Sequence, residues 1–98
     1  MTVKEFNTIQ TMFEKETNKT LIDRMRKFIS NETDWVNKRI SMSITKGGKA
    51  KIVENYSERI KGLLDFMFRY DILDIETYMS EYDHLISWEL KKIKEIYH

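Results

Sequence analysis

The sequence predicts an all-α domain, a small four-helix bundle with short turns. Three observations predict it. Apolar residues recur at every third or fourth position through most of the 98 residues. Breakers are scarce, since proline is absent and glycine occurs three times. No stretch alternates apolar and polar residues over the length of a strand. Alanine occurs once, at Ala50, so helix propensity must come from Leu, Ile, Met, Lys, Glu and Arg. A chain of this length removes roughly 60–68% of its unfolded surface from water, enough for one core. Residues 1–98 are therefore read as a single helical domain.

The first helix is expected over 2–15. Thr2 and Glu5 stand at capping-box spacing, with hydroxyl and carboxylate each satisfying a free backbone donor of the first turn. Val3, Phe6, Ile9 and Phe13, with Met12 beside them, then form one apolar stripe. Thr17-Asn18-Lys19-Thr20 is expected to end this helix and cap the next. The second helix, over 20–41, carries Leu21, Ile22, Met25, Phe28 and Ile29 on one face. Ser30 to Asp34 leaves room for a kink near 31–34, because Ser and Asn compete for backbone donors. Trp35, Val36 and Ile40 keep phase across it, which favours one helix.

Gly47-Gly48 is the clearest breaker and is read as the tip of the next connection. The third helix, over 50–69, repeats Val53, Tyr56, Ile60, Leu64, Met67 and Phe68. Gly62 inside it costs about 1 kcal/mol against alanine, and is read as allowing a neighbouring helix to approach. After a connection from Arg69, Asp74 is expected to cap the last helix, over 75–97, with Thr77 three residues on. Its expected inner face is Ile75, Met79, Tyr82, Ile86, Ile93 and Ile96. Lys91, Lys92 and Lys94 oppose the negative end of its dipole.

The formal charges are sorted by position, which the net charge of +1 hides. From Trp35 to Val53 there are cations at Lys38, Arg39, Lys46, Lys49 and Lys51, and no acid. From Asp71 to Leu90 there are acids at Asp71, Asp74, Glu76, Glu81, Asp83 and Glu89, and no Lys or Arg. The first block is a candidate patch for an anion or an acidic partner, and Asp71, Glu76, Glu81, Asp83 and Glu89 are a candidate acidic face. The blocks could dock on a charged partner or on one another. The aromatics exceed what one small core needs, and Trp35, Phe66, Tyr70, Tyr78 and Trp88 are candidate interface residues. A homodimer is the simplest cover for them.

Chemistry finds little support. Cysteine is absent, which removes disulfides, thiolate metal sites and a cysteine nucleophile. His84 and His98 have no second ligand at metal spacing, and no Ser/His/Asp order or phosphate-binding loop is present. No enzymatic activity, metal or cofactor is expected. The N-terminus lacks the apolar core of a signal peptide, and no apolar run reaches the ~18 residues of a membrane span. The expected location is the cytoplasm, with no membrane partner. The abundance of Ile, Lys, Asn, Tyr, Phe and Met matches AT-rich codons. The reading is a non-enzymatic interaction protein that binds and inhibits another protein, of the phage or plasmid accessory type. The alternative is nucleic-acid or nucleotide binding through 38–51, helped by Arg24, Arg26 and Lys27.

Overall fold

The computed structural model describes the backbone of residues 2–98 and the side chains of 2–7 and 18–98. It is all-α: helix α1 spans Val3–Met42, α2 spans Lys46–Arg69 and α3 spans Ile75–Tyr97. Consecutive helices run antiparallel through short turns, with extents of 65 × 20 × 16 Å. The long axis is set by α1, since 40 residues at 1.5 Å each span about 60 Å.

The two helices expected over 2–15 and 20–41 are thus one. Thr17 to Thr20 are weaker helix formers by at most about 0.7 kcal/mol each, and with no proline or glycine among them the helix continues. The expected kink at 31–34 does not interrupt it either. The hydroxyl of Thr33 donates to the Ile29 carbonyl one turn back at 2.8 Å, which keeps the side chain inside the helical pattern. The N-terminal capping box is present: Glu5 N–H donates to Thr2 Oγ1 at 3.2 Å and Thr2 N–H to Glu5 Oε2 at 3.4 Å. Val3 and Phe6 are exposed. The rest of the expected first stripe, Ile9, Met12 and Phe13, lies outside the described side chains.

The turn between α1 and α2 is only Ser43–Thr45, so the diglycine is not a loop tip. It lies in the first turn of α2, and neither glycine takes a positive φ. Thr45 caps the helix by accepting from Gly48 N–H at 3.0 Å. A Cβ at Gly48 would stand 2.8 Å from both Ser43 Oγ and Thr45 Oγ1. Glycine is needed there for space beside the cap rather than for an unusual dihedral.

The α2–α3 turn closes in a Schellman arrangement. Asp71 N–H donates to Phe68 O at 3.1 Å and Ile72 N–H to Met67 O at 2.9 Å. Asp71 takes the left-handed position usually given to glycine, at φ 58°. Asp74 then caps α3, accepting from Thr77 N–H at 2.7 Å. Hydrogen bonds from Thr77 hold the Asp74 carboxyl below the usual carboxylate range.

The core is centred on α2, where Val53, Tyr56, Ile60, Leu64 and Met67 are buried as the spacing predicts. Phe68, one residue past Met67 and so turned about 100° from it, is exposed. Met25 and Val36 of α1, Leu73 of the turn and Leu85 of α3 complete it. Tyr56 lies deep in this core. Its hydroxyl meets Thr33 Oγ1 at 2.6 Å, and burial pushes the phenol pKa up. Gly62 is not a close-approach site, because a Cβ there would meet nothing within 4 Å.

On α3 the inner face differs from the expected one. Leu85 is buried, and Tyr78 and Trp88 pack against the core beside Tyr82, while Ile75 and Met79 are exposed. The helix is turned by about one residue, roughly 100°. The cause is polar. Ser57 is buried in α2, and its hydroxyl donates to Glu89 Oε2 at 2.6 Å. Lys61 pairs with the same carboxylate at 3.7 Å. With Glu89 on the inner side of α3, Ile75 and Met79 lie on the outer one.

Candidate interaction surface

The five cations of the basic block do not converge. Lys46 and Lys49 border one hollow with Asn37, Ile40 and Lys92 at the end of the molecule where α1 finishes and α2 begins. Lys51 is exposed two residues beyond Lys49, on the opposite side of α2. Lys38 and Arg39 belong to the last turns of α1, both exposed. Among the described residues none of the five joins an ion pair.

The acidic block is partly consumed within the fold, by cations from outside 38–51. Glu81 accepts from Arg26 of α1 at 3.1 Å, and Glu89 serves Ser57 and Lys61. Asp71 is fixed in the turn and Asp74 is a cap. Glu76 and Asp83 stay exposed and without an ion pair among the described residues.

The five candidate aromatics divide in the same way. Trp88 meets Tyr56 edge-on, with ring centroids 4.8 Å apart. Tyr78 stacks on Phe68 at 4.6 Å and donates its hydroxyl to Asp65 at 2.5 Å, a hydrogen bond that raises its pKa. Both belong to the packed interior of the α2–α3 pair rather than to an outer face. Trp35, Phe66 and Tyr70 are exposed, and Phe66 and Tyr70 lie against each other one turn apart at 4.6 Å.

Two uncovered lines of side chains emerge. On α1, Arg24, Phe28, Asn31, Trp35, Lys38 and Met42 follow one another at alternating steps of four and three, and so share a seam. Phe28, Trp35 and Met42 are 47%, 55% and 74% exposed. On α3, Met79, Ile86 and Ile93 form one line, and Glu76, Asp83, Leu90 and Tyr97 form the adjacent one. Together they also step by three and four. Met79, Leu90 and Tyr97 are 56%, 65% and 54% exposed. The sequence reading missed both as seams. Of the expected inner face Met79 is exposed while Ile86 and Ile93 are half-buried, and Trp35 belongs to a heptad line that the expected helix faces did not include. The strict three–four step was the available signal.

Among the described residues no group of three acidic or histidine side chains is placed to hold a metal ion. No helix among them is long and apolar enough to cross a membrane. No protein-family model, curated protein or solved structure matches the chain.

Proposed function

We propose that this is a non-enzymatic helical interaction protein that binds another protein and modulates it, by occupying surface that the partner needs. One observation carries the reading: α1 and α3 each bear a line at coiled-coil spacing with exposed apolar side chains. These are Phe28, Trp35 and Met42 on α1 and Met79, Leu90 and Tyr97 on α3, the last three beside the half-buried Ile86 and Ile93. Aromatic and methionine side chains surrounded by polar positions are the composition that interface centres favour. Inhibition of a target by a phage- or plasmid-type accessory factor is in keeping with this small size and with the AT-rich residue usage.

The test is retention of a protein from an extract of the native host on the immobilised chain. The double substitution Phe28→Ser with Trp35→Ser should lose the retained protein, while nuclease treatment should leave it. Retention that vanishes with nuclease, or that survives disruption of both seams, overturns the reading.

A second reading rests on a different observation. Lys46 and Lys49 stand in the first turn of α2, where unpaired backbone N–H groups and the helix dipole already favour anions. That turn holds no acid, and Glu95 of α3 is the one acid among the described residues bordering the same hollow. Nucleic-acid or nucleotide binding there would fall with salt at a log–log slope near −0.9 per phosphate neutralised. Changing Lys46, Lys49 and Lys51 to Glu should then abolish it.

A further inference from the structure

We infer that the two uncovered seams fit each other, so that the α1 seam of one copy docks on the α3 seam of a second copy. The inference rests on reading these seams as docking surfaces, and it names a second copy of the chain as an occupant. Three features support it. The first is geometry. Both lines keep an average step of 3.5 residues, which lets two helices run side by side with side chains interlocking. At 1.5 Å per residue, Arg24 to Met42 covers about 27 Å and Glu76 to Tyr97 about 32 Å, so the seams match in length.

The second feature is charge. At its seam positions α1 has Arg24 and Lys38 and no acid, whereas α3 has Glu76 and Asp83 and no cation. None of the four has an ion pair among the described residues. Like pairings are poorer. Two α1 seams laid antiparallel about Asn31 would set Arg24 against Lys38. Two α3 seams would cover Glu76 and Asp83 with no cation to meet them, and buried unpaired charge is costly. The mixed pairing alone sets a cation against an acid. Arg24 and Lys38 stand about 21 Å apart and Glu76 and Asp83 about 10 Å, so one such pair meets in register and the other charges add only a favourable field.

The third feature is topology. Phe28, Trp35 and Met42 of one seam and Met79, Leu90 and Tyr97 of the other are exposed in the same molecule, so these side chains do not cover each other within it. Each copy therefore offers one of each, and the contact is heterologous: it propagates into a chain or closes as a ring. Attraction between a basic and an acidic seam acts through solvent as the copies approach, so the assembly weakens with salt.

Light scattering on the purified full chain tests this. The weight-average mass should rise from 11.9 kDa with concentration and fall back as salt is added. The double variant Arg24→Glu/Lys38→Glu should stay at the mass of one copy, and so should Glu76→Lys/Asp83→Lys. Mixed in equal amounts, the two should assemble as the wild type does, because each restores the opposite charge to the other. Circular dichroism should show wild-type helix content for both, since all four positions are exposed.

A wild type that keeps the mass of one copy up to about 1 mM, where even an interaction of ~4 kcal/mol is half saturated, overturns the inference. So does either charge-reversed variant that assembles alone, or a mixture that stays monomeric. The wider reading fails separately. If the pure chain is monomeric while seam variants still lose the partner from host extract, only self-assembly is wrong. If assembly follows the charges while retention from extract ignores the seams, only the heterologous partner is wrong.

Discussion

The two sides of α1 between Leu21 and Met42 have the same rhythm and opposite fates. Ile22, Met25, Ile29, Thr33, Val36 and Ile40 step by three and four along one side and meet α2 and α3, with Met25 and Val36 buried. The outer seam through Phe28, Trp35 and Met42 steps in the same way and stays exposed. Spacing specifies that a face is apolar; the number of neighbouring helices decides whether it is covered. With one long α1 in place of two shorter helices, the bundle has one helix fewer than expected, and one seam on each of α1 and α3 is left open. This is why the excess of aromatics noted in the sequence ends up on the outer face of α1 and beside α2's Phe66, not in a larger core.

The largest expected effect comes from the covered side. Leu64 is fully buried on the core face of α2. Leu64→Ala should destabilise the protein by about 2–5 kcal/mol, through lost transfer energy and the cavity left behind. In a domain of this size each kcal/mol moves Tm by roughly 4–8 °C, so the loss is plain in a thermal or urea melt. A cost under about 1 kcal/mol would mean that α2 is not the centre of the core, and the contrast between covered and uncovered seams would collapse.

A smaller effect of opposite sign probes α2's outer side. Gly62 sits mid-helix with open space where a Cβ would point. Gly62→Ala should therefore stabilise by about 1 kcal/mol, since alanine loses less backbone entropy and nothing obstructs it. Urea unfolding measures it. Destabilisation instead would show that a neighbour does pack against Gly62, and that this side of α2 is occupied in solution.

What was legible in the sequence was local. The Thr2–Glu5 box, the Asp74 cap and the five-residue buried stripe of α2 depend on neighbours within a turn or two, and all three are present. What was not legible depended on the rest of the fold. Thr17 to Thr20 have the composition of a break, but a break needs a stronger breaker than threonine and asparagine when helix formers flank them. The diglycine looked like a loop because glycine usually marks freedom, whereas Gly48 is there for the space beside Ser43 and Thr45. The rotation of α3 was ambiguous in its apolar residues, because Tyr78, Tyr82, Leu85 and Trp88 form a second line at helical spacing beside the expected one. The polar partner of that line, Glu89 facing a serine 32 positions earlier, had no local signal. Of the candidate site, Trp35 and Lys38 stand on an open seam, and so do Glu76 and Asp83. Trp88 and Tyr78 do not, because that same rotation turns them toward the core.

The smallest expected effect on stability is the most informative about function. Trp35 is more than half exposed, and no ring contact is made to it by Phe28 or Met42 within the described residues. Trp35→Gln should leave ΔG of unfolding within about 0.5 kcal/mol of wild type, as is usual for a surface position away from caps and cores. Retention of a partner or of a second copy should meanwhile fall sharply, since a central aromatic removed from an interface commonly costs about 2 kcal/mol or more. The two measurements together separate the alternatives. A large loss of stability would place Trp35 in the fold's own packing, making the outer seam part of the core. Unchanged stability with unchanged binding would leave the seam as plain solvated surface. Unchanged stability with lost binding is the pattern expected when an apolar line is kept at helical spacing for a partner rather than for the fold.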